Sequence, residues 1–352
     1  MSHWNASLPA PSIRACHWQN SAGFTTGSPV SSSRFSCGPV SVALHAETPR
    51  LFERASAPLS LYNVAWPEPF HAVDVSVANT YETSEPAAGH FITCARMTVD
   101  STQADLYASC HSGSTCHFRA EEQRWSIAIP HRHSDAQIRE DLVDFLNLTL
   151  TESWRRLGWA PLHAASIVGE KNCALLCATA GGGKSTLTAS MIRRGWRTLG
   201  DDKLLLRKNG DGTAVVAALL HNFNLHPRTR DWFPEVGDLT GLPPYSPWTE
   251  KRKVTIESIW PGSTSTSSRP THLIEVARQP HIRGLRLSPL PHTRVLPLLM
   301  RQTVIPRHRA RAEQVLATLA AAAASLQGWR IEIGDDAYQR RDHLAELEEL
   351  LR

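Results

Sequence analysis

The chain has 352 residues, with 37 Lys and Arg against 33 Asp and Glu, a net charge of +4, and 41% hydrophobic and 20% charged residues. That length allows about two domains with a sizeable core and excludes a disulfide-stapled miniprotein. The chain holds no run of about 18 apolar residues that could span a bilayer, and its scattered cations form no stripe for a nucleic-acid backbone, so neither a membrane nor nucleic acid is an expected partner.

Residues 1 to about 39 are rich in Ser, Pro and Gly, as in Ser28-Pro29-Val30-Ser31-Ser32-Ser33, and show no apolar period. They are expected to form a mobile arm. Met1 to Ala15, broken by Pro9 and Pro11, has no charged region followed by an apolar stretch and does not read as a secretory signal. The cytoplasm is therefore the expected location, and the seven cysteines, an odd number, argue for reduced thiols.

From 40 to 133 the pattern changes to short alternating runs, such as Val73-Asp74-Val75-Ser76-Val77 and Trp125-Ser126-Ile127-Ala128-Ile129. Period-two alternation broken by Pro, Gly and Ser predicts a smaller β-rich, antiparallel N-terminal region. Cys110-His111 and Cys116-His117 flank a short turn there. Neighbouring side chains on a strand point to opposite faces, which argues against one zinc ion collecting all four.

Ser134 followed by Gln137 has the form of a capping box, and Ile138, Leu142, Phe145 and Leu146 recur at helical spacing, so a helix is predicted over 135–156. It opens a second domain, 134–352. Strands are predicted over 163–168 and 173–178 around the turn Gly169-Glu170-Lys171-Asn172, and a hairpin over 203–207 and 213–219. The end of the chain reads helix (310–326), strand (329–333) and helix (338–351).

The 173–178 strand leads into Ala178-Thr179-Ala180-Gly181-Gly182-Gly183-Lys184-Ser185-Thr186, and a helix predicted from Lys184 to Arg194 leads out, ending at Gly195. This matches the P-loop pattern, with Ala178 in place of the first glycine. Glycines let backbone N–H groups turn inward around phosphate oxygens, and the following helix adds its positive end. Ala180, Gly181, Gly182, Gly183, Lys184, Ser185 and Thr186 are thus the expected nucleotide contacts. Lys184 is expected at the phosphates and the Ser185 hydroxyl on Mg²⁺.

Trp196 to Leu199 reads as a short strand returning beside the glycine-loop strand and ending in Gly200-Asp201-Asp202. Phosphoryl transfer needs one carboxylate near Mg²⁺ and one within reach of the acceptor hydroxyl. Two adjacent aspartates can divide those roles, although Gly200-Asp201-Asp202 is also ordinary turn chemistry.

Along His163-Ala164-Ala165-Ser166, the glycine loop, Arg194-Gly195-Trp196 and Gly200-Asp201-Asp202, the chain resembles the HPr kinase/phosphorylase group and HPr-kinase-related proteins. The resemblance implies an α/β P-loop kinase domain with a mixed sheet and flanking helices, Asp201 as proton acceptor, Asp202 as a metal-linked acid and His163 near the site. Asn222 to Arg228 departs from the glycine-containing segment that HPr kinases carry next. The N-terminal β-region looks closer to related kinases, some of which phosphorylate a serine on a ribosomally made precursor peptide such as a lasso-peptide precursor.

Lys251, Arg252 and Lys253 precede a strand predicted over 254–259 and are candidate phosphate or substrate contacts, with a solvated basic turn as the alternative. The expectation is an ATP- and Mg²⁺-dependent kinase acting on a hydroxyl of a peptide or protein, with a homo-oligomer left open. A P-loop ATPase and a nucleotide-switched binding module are the alternatives. The aspartate pair favours transfer, because a switch needs no proton acceptor.

Overall fold

The computed structural model describes residues 31–62, 64–66, 71–81, 91–93, 97–101, 105–179, 181–242, 250–306, 308–338 and 341–352. It is a mixed α/β structure with one large mixed sheet and several smaller sheets. Among the described residues no helix is long and apolar enough to cross a membrane. The five described cysteines, Cys37, Cys110, Cys116, Cys173 and Cys177, are buried, and none of them forms a disulfide.

The large sheet contains β1 (Ser31–Cys37), β2 (Val40–Ala46), β3 (His71–Thr80), β4 (Phe91–Thr93), β5 (Met97–Ser101), β6 (Leu106–Cys110), β7 (Thr115–Arg119) and β8 (Arg124–Pro130). Its spatial order is β1-β2-β3-β8-β7-β6-β5-β4. Helix α1 (Pro49–Leu59) connects β2 to β3, returning the chain to the same end of the sheet, so β2 and β3 pair in parallel, as do β3 and β8. The wholly antiparallel region read from the sequence is corrected to a mixed one on that account. Residues 1–30 of the expected arm lie outside the described residues, whereas Ser31–Cys37 is a strand paired along its whole length with β2.

Helix α2 (Asp135–Arg156) matches its predicted span, and its capping box is formed: the Gln137 amide donates to Ser134 Oγ, and the Ser134 amide donates to Gln137 Oε1. Its apolar face, Ile138, Leu142, Phe145, Leu146, Leu150 and Trp154, is buried in one core with Val75, Trp125 and Ile127 of the large sheet. Trp154 Nε1 donates to the Cys37 carbonyl at 2.9 Å. The helix that the sequence placed at the head of the second domain therefore seals the N-terminal sheet.

The remaining strands are β9 (Ala160–Leu162), β10 (Ala165–Val168), β11 (Cys173–Cys177), β12 (Leu204–Lys208), β13 (Ala214–Ala218), β14 (Asn222–Leu225), β15 (Arg252–Thr255), β16 (Ser267–Ser268), β17 (His272–Arg278), β18 (Leu285–Pro289) and β19 (Gln327–Ile333). They form a five-stranded sheet, β10-β11-β17-β19-β18, a four-stranded sheet, β16-β13-β12-β9, and the ribbon β14-β15. The helices are α3 (Lys184–Ile192), α4 (Ile256–Ile259), α5 (Val295–Met300), α6 (Arg309–Ser325) and α7 (Ala345–Leu351). Strand β11 is buried at every residue and pairs in parallel with β17, as a continuous apolar run covered on both faces should.

Three sequence expectations change. Trp196 to Leu199 cannot pair with β11, because β10 and β17 occupy both of its edges. Instead the segment makes single bridges, Val168 to Arg197 and Thr198 to Thr264. The strand expected over 254–259 ends at Thr255 and turns into α4, where the Glu257 carboxylate accepts the Gly262 and Thr264 amides and folds the chain back. The helix expected over 338–351 is α-helical only from Ala345, because Asp335 and Asp336 hold the preceding 3₁₀ turn to Arg278 and the Gly284 amide.

Ser134 is exposed and caps the helix that carries the N-terminal core. Ser134→Ala is expected to lower unfolding stability by about 1 kcal/mol, measured as a shift of the urea midpoint.

Candidate functional site

The glycine loop lies between the end of β11 and the start of α3. Ala180 lies outside the described residues. Gly183, at the N-cap of α3, has φ +94°, and a Cβ there would sit 2.9 Å from the hydroxyl of Tyr338, so only glycine fits. Gly182 faces Ala178 so closely that a Cβ would come within 2.7 Å of the Ala178 methyl. That spacing accommodates the extra carbon where the P-loop pattern has its first glycine, and Ala178 keeps a negative φ.

Lys184, on the first turn of α3, is buried and turns back over the loop: its Nζ lies 3.4 Å from the Ala178 carbonyl and 3.1 Å from His163 Nε2. Burial lowers its pKa, opposed by the Cys177, Asp202 and Asp201 side chains. His163 Nδ1 is 3.2 Å from Asp202 Oδ1. Burial is the largest cause lowering the His163 pKa, and the Lys184 charge adds to it against Asp202. The hydrogen-bond pattern assigns the neutral tautomer, with Nδ1–H donated to Asp202 and Nε2 accepting from Lys184.

Asp201 is held in place by a buried hydroxyl network. Thr198 Oγ1 donates to the Ser166 carbonyl at 2.8 Å and accepts the Gly200 amide at 3.0 Å, while Ser166 Oγ accepts the Leu199 amide at 2.8 Å. Gly200 has φ +148°, and a Cβ there would meet the Leu220 carbonyl at 2.9 Å. The adjoining Asp201 is 3% exposed. Its Oδ2 accepts the Asn224 amide of β14 at 3.2 Å, the carboxylate hydrogen-bonds Ser185, and Oδ1 is buried without a hydrogen-bond partner. Burial, then the neighbouring Asp202 charge, push its pKa up to about 7.

An orphaned carboxylate oxygen beside the Ser185 hydroxyl is a hard-oxygen donor set, which suits Mg²⁺. Among the described residues no group of three or more His, Cys, Asp or Glu side chains could hold a metal ion. Mg²⁺ commonly takes only one or two protein carboxylates and completes its shell with water and phosphate. Cys116 points into the core of the large sheet while His117 lies on its other face, as the alternation requires.

Of the basic cluster, Lys251 acts on the site: its charge lowers the pKa of His163, Lys184 and Asp201. Lys253, on β15, is instead influenced by burial and by Lys203, and Arg252 Nε is buried without a partner. The structure thus brings together His163, Lys184, Ser185, Asp201, Asp202 and Lys251, with Gly181, Gly182, Gly183 and Thr186 in the adjoining loop and helix turn. Sequence reasoning missed Lys203, whose Nζ donates to Asn147 Oδ1 of α2 at 2.9 Å, although it directly follows the aspartate pair. It also missed Tyr338, whose buried hydroxyl has no partner and which carries no motif.

Folding raises the Asp201 pKa, so the parent fold loses stability as pH climbs from the ordinary carboxyl range, about 4, toward about 7. Asp201→Asn removes that penalty. The melting temperature of the variant minus that of the parent is expected to grow across this window and level off above it, in melts recorded without nucleotide.

No family model matches the chain, and no curated protein matches it. Among solved structures that match, the HPr(Ser) kinase/phosphatase from Coxiella burnetii aligns at 12% identity with a TM-score of 0.30, covering 54% of this chain and 96% of that one. A likeness of that size carries no argument about function, which rests on the residues described above.

Proposed function

We propose that this protein is an ATP- and Mg²⁺-dependent kinase that transfers the γ-phosphoryl group to a hydroxyl of a peptide or protein, with Asp201 as proton acceptor. The observation that carries the reading is Asp201 itself: a buried carboxylate raised to about 7 and hydrogen-bonded to the serine that follows the loop lysine. A general base works best with a pKa near the operating pH, and a structural carboxylate has no need of one.

MgATP, when bound, supplies the phosphoryl group and a divalent charge to offset the phosphates. Lys184 and the backbone amides of Gly181 to Gly183 are proposed to hold the phosphates, and Ser185 and Asp202 the ion, with Asp201 beside it. His163 keeps Lys184 and Asp202 in register: it accepts from one and donates to the other without adding charge. Lys251 is proposed to add cationic charge where it builds on the transferring group. As the acceptor oxygen bonds to phosphorus, Asp201 takes its proton and ADP leaves. A serine of a ribosomally made precursor peptide is one acceptor that this chemistry fits, and the cytoplasm is the proposed compartment.

Asp201→Asn keeps shape and removes the base. Transfer of label from ATP to serine peptides is expected to fall about 10² to 10⁴-fold with MgATP binding retained. Transfer at the parent rate would remove Asp201 from the mechanism, and release of free phosphate at the parent rate with no acceptor would favour a hydrolase.

A further inference from the structure

A cleft of about 1120 Å³ opens beside the glycine loop and runs past His163 to the loop after α5. Trp154, Leu162, Leu219 and Leu298 give it an apolar floor, and among the described residues five Lys or Arg side chains line it against one carboxylate, Glu275. Three of those cations have acidic partners: Arg278 with Asp335 at 2.6 Å, Arg330 with Glu275 at 3.8 Å, and Arg155 with Glu152. Lys203 faces the Asp202 charge. Arg301, at the exposed mouth, has no side-chain partner among the described residues.

The Arg155 contact is itself unbalanced. Glu152 is shared between Arg155 and Arg311, whose Nη1 reaches Glu152 Oε2 at 2.7 Å, and all three side chains are largely withdrawn from water. Two guanidinium groups on one carboxylate leave a net positive charge in a region of low dielectric, where an uncompensated charge is costly. Next in the chain, Arg156 has its pKa lowered to about 10, first by burial and then by the Arg311 charge. Arg155 is 5% exposed: its Nη1 donates to Glu152, its Nη2 donates to the Val304 carbonyl, and its Nε is buried in the wall of the cleft without a hydrogen-bond partner.

We infer that this cleft is the acceptor site and that it selects an acidic acceptor, binding its anionic groups through Arg301, in the field of the buried Arg155 and Arg311 charges behind the wall. The inference rests on the reading of the protein as a kinase acting on a hydroxyl. It gives the excess buried charge a counter-ion and puts the acceptor next to His163 and the glycine loop.

The test is the fluorescence anisotropy of a fluorescein-labelled serine peptide flanked by glutamates, measured without nucleotide on the full chain. Its lysine-flanked counterpart and a phosphoserine-flanked version are run beside it. The glutamate or phosphoserine peptide is expected to bind at least about tenfold tighter than the lysine peptide; which of the two binds better separates a carboxylate acceptor from a phosphorylated one. Arg301→Glu should weaken binding about tenfold and Arg301→Lys less than about threefold. Arg309→Glu makes the same change in net charge on an exposed helix position outside the cleft and should leave binding within about twofold. Thermal melts check that each variant is folded. Equal binding of glutamate and lysine peptides, or equal losses from Arg301→Glu and Arg309→Glu, would overturn the inference and leave the kinase reading untouched. Selective binding with no label transferred from MgATP would sustain the cleft's preference for acidic peptides and remove the kinase reading.

Discussion

The site depends on keeping one carboxylate out of water next to another. Burying Asp201 beside the Asp202 charge disfavours its ionised form, and Asp201 Oδ1 is left without a partner. Surrounding structure must hold it there. The Ser166 and Thr198 hydroxyls stitch the segment to β10, Gly200 turns the chain in a conformation other residues rarely adopt, and β14 donates an amide from across the site. The two hydroxyl-bearing residues, Ser166 and Thr198, are themselves fully buried.

The same economy of charge governs the rest of the cluster. A neutral His163 between Lys184 and Asp202 links a cation to an anion without bringing either to full contact, and Lys251 partly offsets the two aspartates. Helix α2 joins this chemistry to the N-terminal sheet. Its apolar face fills the core under that sheet, while Asn147 holds Lys203 and Arg155 enters the cleft wall.

Much of this was legible in the sequence where a local rule decides the outcome. The capping box fixed the start of α2, the hairpin read over 203–207 and 213–219 is β12–β13, and a strand leads into the glycine loop and a helix leads out of it, the helix ending at Ile192 rather than Arg194. What was not legible depends on partners distant in sequence. Alternation in the N-terminal region gives strand faces and says nothing of pairing direction, so its parallel pairs were missed. Strand β1 shows mostly exposed positions and looks like part of a Ser-rich arm. Pairing of Asp202 with His163, the approach of Tyr338 to Gly183 and the sharing of Glu152 by two arginines arise only when remote segments meet.

Calorimetric titration of the full chain with MgATP tests whether the glycine loop and the aspartate pair form an MgATP site. A single MgATP per chain is expected, with affinity at least about tenfold weaker for Lys184→Ala, the loss anticipated when a charged hydrogen bond to phosphate is removed. Absence of binding by the parent, or equal affinity in the two proteins, would show that the loop and the aspartates do not form that site.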